Sequence, residues 1–151
     1  GVALVITVDM PPEESGALSQ AFANHALDPI FLISPTTPDS RVQAVCNQGS
    51  GFIYYVSLKG VTGSSKLDTD EVARKVSHIK QLSAMPVGVG FGITGPESAA
   101  AVAAVADAVV VGSVIVKEIA SQAGDIEKTV AAVSALIGNM RKAIDGIGQS
   151  G

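Results

Sequence analysis

The sequence predicts an α/β fold built on a parallel sheet. Five short runs rich in Val, Ile, Leu and Phe, at residues 4–9, 29–34, 52–57, 86–92 and 108–112, have the character of strands buried on both faces. Segments opened by helix-start signals lie between them, so strands and helices alternate along the chain. Strand starts recur every ~20 to 35 residues, the length of one βα unit, which implies right-handed crossovers and helices covering the sheet.

Each helix is justified by its first turn. Pro11-Pro12-Glu13-Glu14 precedes a helix over 15–26, Thr37-Pro38-Asp39 one over 42–47, and Asp68-Thr69-Asp70-Glu71 one over 72–82. Proline and acids suit a first turn because the donor is not needed there and the helix dipole favours negative charge. Gly95-Pro96-Glu97 opens an alanine-rich helix in the same way, and a short helix is expected over 114–120. A final amphipathic helix runs from Asp125 to about Asp145, with Val130, Val133, Leu136, Ile137, Met140 and Ile144 on one face.

The composition bounds the function. The chain has 151 residues, 47% hydrophobic and 16% charged, with a net charge of −4, which describes one soluble globular domain over 1–151. It carries no Lys/Arg run, so neither nucleic acid nor an anionic membrane surface is an expected partner. Residues 99–116 contain one charge, Asp107, and approach the length of a membrane span. The stretch changes at Asp107 from alanine-rich to β-branched, however, and reads better as a helix followed by a buried strand. The single cysteine, Cys46, makes no internal disulfide, and no segment resembles a secretory signal, so the expected home is the cytoplasm. A chloroplast remains open if a transit peptide has been removed.

Two architectures hold such a sheet, a doubly wound open sheet and a (β/α)8 barrel, and both bind ligands at the C-terminal ends of their strands. Those ends carry Asp9, Ser34-Pro35-Thr36-Thr37, Gly60-Val61-Thr62-Gly63, Gly90-Phe91-Gly92 and Gly112-Ser113. Gly90-Phe91-Gly92-Ile93-Thr94-Gly95 fits a dinucleotide fingerprint, but no acid ends the next strand to hold a ribose. Glycines after the last two strands, followed by a short extra helix, instead form the phosphate site common to barrels. Backbone amides at a helix start hold a phosphate dianion without Lys or Arg. Any one of these glycines alone would mark only a tight turn, and the two consecutive strand ends together favour phosphate.

Lys59 to Lys66, KGVTGSSK, is a small-residue loop able to close over a ligand; it lacks the Gly-Lys-Ser/Thr ending of a Walker loop, and its plainer reading is a surface loop. A general acid or base is harder to find. His25 sits at a helix end, His78 lies within a helix, and neither has partners at metal-ligand spacing. Glu13 and Glu14 read as first-turn acids, and Cys46 as a small core residue.

Five segments in this order, DMPPEES at 9–15, PIFLISP at 29–35, YYVSLKGVTG at 54–63, VGFGI at 89–93 and GSVIVK at 112–117, resemble the tryptophan synthase alpha chain family over the whole length. The resemblance implies strands four to eight of a (β/α)8 TIM barrel, here about five βα units. It implies retro-aldol cleavage of indole-3-glycerol phosphate to indole and glyceraldehyde 3-phosphate. By the same resemblance Gly63, Gly92, Ile93, Gly112 and Ser113 bind the substrate phosphate, Thr62 is the closing-loop threonine and Tyr54 a pocket tyrosine. Ile6, Val8, Leu32, Phe91 and Val110 match the apolar wall around indole, and Asp9 an acid that communicates with the beta chain. Leu58 stands where some members carry arginine. No cofactor is implied for this chain, since pyridoxal phosphate belongs to the beta chain.

The family's catalytic glutamate and aspartate lie on the second strand and the loop after it, upstream of the matched segments. The chain starts Gly1-Val2 without an initiator Met and is short of the ~250 residues of a barrel, so it reads as a C-terminal portion. Five strands leave two sheet edges and an apolar interior open, which predicts association with a missing N-terminal half or another copy. Two other functions compete with the lyase. One is a non-catalytic phosphate-binding or assembly module, favoured by the missing carboxylates; the other is a sugar-phosphate isomerase or epimerase barrel, disfavoured by the apolar wall.

Overall fold

The structure, a computed structural model, describes residues 2–8, 16–56, 68–90 and 92–149. Its strands are β1 (Leu4–Thr7), β2 (Asp28–Ile33), β3 (Ile53–Val56), β4 (Val87–Gly90) and β5 (Ala108–Val110). Its helices are α1 (Gly16–Asn24), α2 (Asp39–Gln48), α3 (Thr69–Leu82), α4 (Pro96–Ala103), α5 (Ser113–Ser121) and α6 (Ile126–Asp145), followed by a 3₁₀ turn at Gly146–Gln149.

All five strands are parallel and lie in the order β1-β2-β3-β4-β5. This order decides the architecture. A doubly wound sheet reverses its strand order at a switch point, whereas unbroken sequential order with right-handed crossovers delivers every helix to the same face. The fold is therefore a partial (β/α) barrel. Strands β1, β3, β4 and β5 are shorter than their apolar runs, whereas β2 is as long as its run and begins one residue earlier.

Strand alternation divides the side chains into two sets. Phe31 and Ile33, Ile53 and Tyr55, and Val87 and Val89 face the helices and form one buried core with Val42 and Val45 of α2, Val72, Val76 and Ile79 of α3, Val102 of α4 and Met140 of α6. Leu4, Ile6, Ile30, Leu32, Tyr54, Val56, Gly88, Gly90, Ala108 and Val110 share the opposite face by register. In a closed barrel that face is the interior.

Helices α2 and α3 start at Asp39 and Thr69, earlier than the apolar periodicity places them, because their polar first turns are already helical, whereas α6 starts at Ile126, just after its cap Asp125. Asp68 accepts from the Glu71 amide at 3.0 Å and Asp125 from the Lys128 amide at 3.0 Å, so the acids that follow lie inside the first turn. At the end of α1 the Leu27 amide donates to the Phe22 carbonyl and the Ala26 amide to the Ala23 carbonyl, a Schellman closure with Ala26 at φ 52°, the left-handed position where glycine is usual. His78 is not merely a helix residue among charges, for its Nε2 lies 2.9 Å from Asp39 Oδ1 and links α3 to α2.

The expected apolar face of α6 requires correction. Met140 is buried and Leu136 and Ile144 pack against the core, but Val130 is 60% and Ile137 47% exposed. The stripe is wider than the core contact of α6, so Val130 and Ile137 stand at its rim, where they line cavities shared with α5 and, for Ile137, with α4 and β5. Among the described residues no helix is long and apolar enough to cross a membrane. Residues 99–116 resolve into most of α4, a turn, β5 and the start of α5.

Candidate phosphate and aromatic-ligand site

The C-terminal ends of β4 and β5 bring two glycine-bearing turns together. The strands are adjacent and in register from Gly88 opposite Ala108 to Gly90 opposite Val110, so the chain leaves both within one strand spacing, about 4.8 Å. After β4 the chain turns at Gly92, whose φ of 73° is left-handed and suits glycine. Ile93, 4% exposed, drives its side chain into the helix-side core and anchors that turn. After β5, Gly112 is the N-cap of α5, and its carbonyl accepts from Ile115 and Val116. The amides of Ser113 and Val114 stand in the first turn, where a helix offers no internal acceptor. Gly92, Ile93, Gly112 and Ser113 thus lie at one end of the sheet, as the sequence leads one to expect.

A second device lies on the open face. An added β-carbon on Gly90 would sit 2.6 Å from Cε2 and 2.9 Å from Cζ of Tyr54, and one on Gly88 would sit 3.0 Å from the Phe52 ring. Two aromatic rings from the β3 side therefore lie directly over two glycines of β4, each ring occupying the volume a side chain would take. The result is an aromatic surface on the open face, with Tyr54 nearer the C-terminal end of β4 and Phe52 farther from it. Burial pushes the Tyr54 hydroxyl above its ordinary pKa, so it stays neutral and able to donate at physiological pH. The neighbouring Tyr55 points to the helices instead, and its buried hydroxyl has no hydrogen-bond partner among the described residues.

The apolar-wall residues join this surface unevenly. Leu32 pairs with Tyr54 and Val110 with Gly90, and both are half-buried. Ile6 is 41% and Val8 64% exposed, because β1 lies at the sheet edge with no neighbour beyond it among the described residues. Asp9, Leu58, Thr62, Gly63 and Phe91 lie outside the described residues, as do Glu13 and Glu14.

An acid or base is not placed here. The only carboxylate within the described strands is Asp28, at the opposite end of the sheet, where it accepts from the Ser50 hydroxyl at 2.6 Å. Among the described residues no group of three or more His, Cys, Asp or Glu could hold a metal ion. The site residues that sequence reasoning missed are Phe52, Gly88 and Ser98. For the first two the sequence offers only the VGVG alternation of β4 and the aromatic residues at 52–55, whose juxtaposition is decided by the β3–β4 register. Ser98 carries no such signal, since its role depends on three hydrogen bonds described below.

The family model for the tryptophan synthase alpha chain matches residues 1–145. The chain belongs to this family. It is 51% identical over 147 residues to the tryptophan synthase alpha chain of Marinobacter nauticus, covering 97% of this chain and 54% of that protein. It is 56% identical over 145 residues to that of Thiobacillus denitrificans, covering 96% of this chain and 52% of that one. The chain thus spans about half the length of the curated relatives it matches. The crystal structure of the alpha chain from Legionella pneumophila superposes with a TM-score of 0.85 at 40% identity, over 98% of this chain and 54% of that one. Tryptophan synthase from M. tuberculosis, in an open form with BRD0059 bound, gives a TM-score of 0.78 at 30% identity, over 95% and 51%. As an alpha-chain family member this chain has the sequential parallel strands of that family's barrel.

Proposed function

We propose that this chain is the C-terminal part of a tryptophan synthase alpha-type lyase, strands four to eight of its barrel, and supplies the phosphate grip and aromatic wall for indole-3-glycerol phosphate. The observation that carries the reading is the pairing of two glycine turns at adjacent strand ends with a ring-on-glycine surface on the same sheet. A phosphate needs amides at a helix start, and an indole needs a flat apolar wall within reach of them. The reaction breaks the bond between indole C3 and the glycerol chain, with a proton delivered to C3 and another taken from the adjacent glycerol hydroxyl. Both transfers need groups within hydrogen-bond reach of those atoms. On this reading the acid and base come from the N-terminal half of the barrel. This chain's amides fix the phosphate, its rings orient the indole, and Thr62 and Gly63 close the site.

The reading asks no cofactor of this chain; pyridoxal phosphate belongs to a beta chain, with which Asp9 communicates. A bacterial cytoplasm is the compartment we assign, in keeping with its bacterial relatives. A second reading, a non-catalytic phosphate-binding half-barrel, is favoured by the lack of any carboxylate other than Asp28 in the described strands. Indole release from indole-3-glycerol phosphate separates the two. The chain alone should be inactive, and activity should return on mixing with a polypeptide carrying the first three strands. Activity of the chain alone would mean that one of its own carboxylates does the chemistry, and no activity in the mixture would favour the second reading.

A further inference from the structure

The turn between β4 and α4 carries several amides, and one side chain sorts them. Ser98, in the first turn of α4, accepts the Thr94 amide at 3.0 Å and the Gly95 amide at 3.2 Å on the same oxygen, and donates to the Gly95 carbonyl at 3.0 Å. A hydroxyl has two acceptor lone pairs and one proton, so all of its capacity is engaged within this turn. The Thr94 and Gly95 amides are thereby turned toward the helix and away from the strand end. The amides of Gly92 and Ile93 precede them, on a backbone held by the left-handed φ of 73° at Gly92 and the 4% exposed Ile93 side chain.

We propose that Ser98 is a positioning residue for the phosphate grip. It withdraws two competing amides and freezes the turn, so that an anion meets Gly92 and Ile93 on one side and the start of α5 on the other. Ser98 does not touch the ligand; it acts through the backbone it holds. The inference rests on the phosphate reading above and adds which amides serve it and what fixes them. The physical basis is preorganisation: donors already aimed need no ordering when the anion arrives, whereas loose donors lose affinity to the entropy of fixing them.

A titration of the ¹⁵N-labelled chain with inorganic phosphate, followed amide by amide, tests it. In the parent chain the Gly92, Ile93, Gly112 and Ser113 resonances should move and those of Thr94 and Gly95 should stay. Ser98→Ala should weaken binding about tenfold and make Thr94 and Gly95 respond, the size expected when about one hydrogen bond's worth of order is lost. Ser98→Thr, which keeps the hydroxyl, should restore both. A Ser98→Ala chain with parental phosphate affinity and merely a lower urea midpoint would reduce Ser98 to a helix cap and overturn the proposal. Thr94 or Gly95 responding in the parent would overturn it too. If none of the four amides moves in the parent, the phosphate reading itself falls and this role with it. Should Ser98→Ala fold poorly, Ser98→Asp provides the check. Its carboxylate accepts the same amides but sets a negative charge beside the anion, so binding must weaken more than tenfold, and unchanged affinity would overturn the proposal.

Discussion

At Gly90 the absence of a side chain is a packing requirement. The Tyr54 ring fills the volume above its α-carbon, with Cε2 2.6 Å from where a β-carbon would stand, and a ring held in a sheet has little freedom to retreat. Gly90→Ala should therefore cost about 1–3 kcal/mol by forcing an off-rotamer Tyr54. Gly88→Ala, with 3.0 Å to the Phe52 ring, should cost less. Urea denaturation of the two variants gives the order directly, and equal costs would mean that the rings are not held in place. The same contrast shows how far single residues were legible. Gly92 and Ser113 were recognisable because a strand-end glycine or a helix-start serine has a local signature. Phe52 and Gly88 were not singled out, since the meaning of each lies in a partner on a neighbouring strand.

Between elements, the clearest link is Asp107. Its carboxylate accepts from Lys80 Nζ at 2.7 Å and from the Val87 amide at 2.8 Å, joining the end of α3 and the first residue of β4 to the approach to β5. The Lys80 hydrogen bond first, and the Val87 amide second, hold its pKa below the ordinary carboxylate value. The unfolded chain therefore takes up this proton before the folded one does. The stabilisation is fully present above the unfolded carboxylate value of about 3.9 and is lost as pH falls through the lower folded value. Asp107→Asn should cost about 1 kcal/mol at neutral pH, most of it from the amide bond to a charged acceptor, because the exposed Lys80 pair adds little. It should also flatten the acid limb of the stability profile below about pH 4. A variant whose acid limb matches the parent's would show that Asp107 is not the group responsible. The sequence showed Asp107 only as a lone charge interrupting an apolar run.

For the whole molecule, the helix side and the open side differ. The helix side buries a continuous core, whereas β1 presents Leu4 and Ile6 at 41% exposure with Val8 just past it at 64%, and only the outer rim of α6 leaves an apolar side chain, Val130, at 60%. Parallel sheets are stable when covered on both faces, and apolar residues left at an edge favour association. The 151-residue chain should therefore bind a hydrophobic dye and sediment above its monomer mass, and both signals should diminish when a polypeptide carrying the first three strands is added. A dye-negative monomer at all concentrations would contradict this.

The alternation of β-branched runs with capped helices made the class and order of the elements readable, because strand and helix periods and first-turn chemistry are local properties of the chain. The segments from DMPPEES to GSVIVK likewise carried the family. What local patterns left open was which face each strand residue occupies and what lies across from it. The bonds on Ser98 are local and follow from the shape of one turn, whereas sequential order without reversal, the rings seated on Gly88 and Gly90 and the outward turn of Val130 and Ile137 all depend on packing between segments tens of residues apart. That packing is set in three dimensions, where a residue's neighbours are chosen by the sheet and not by the chain.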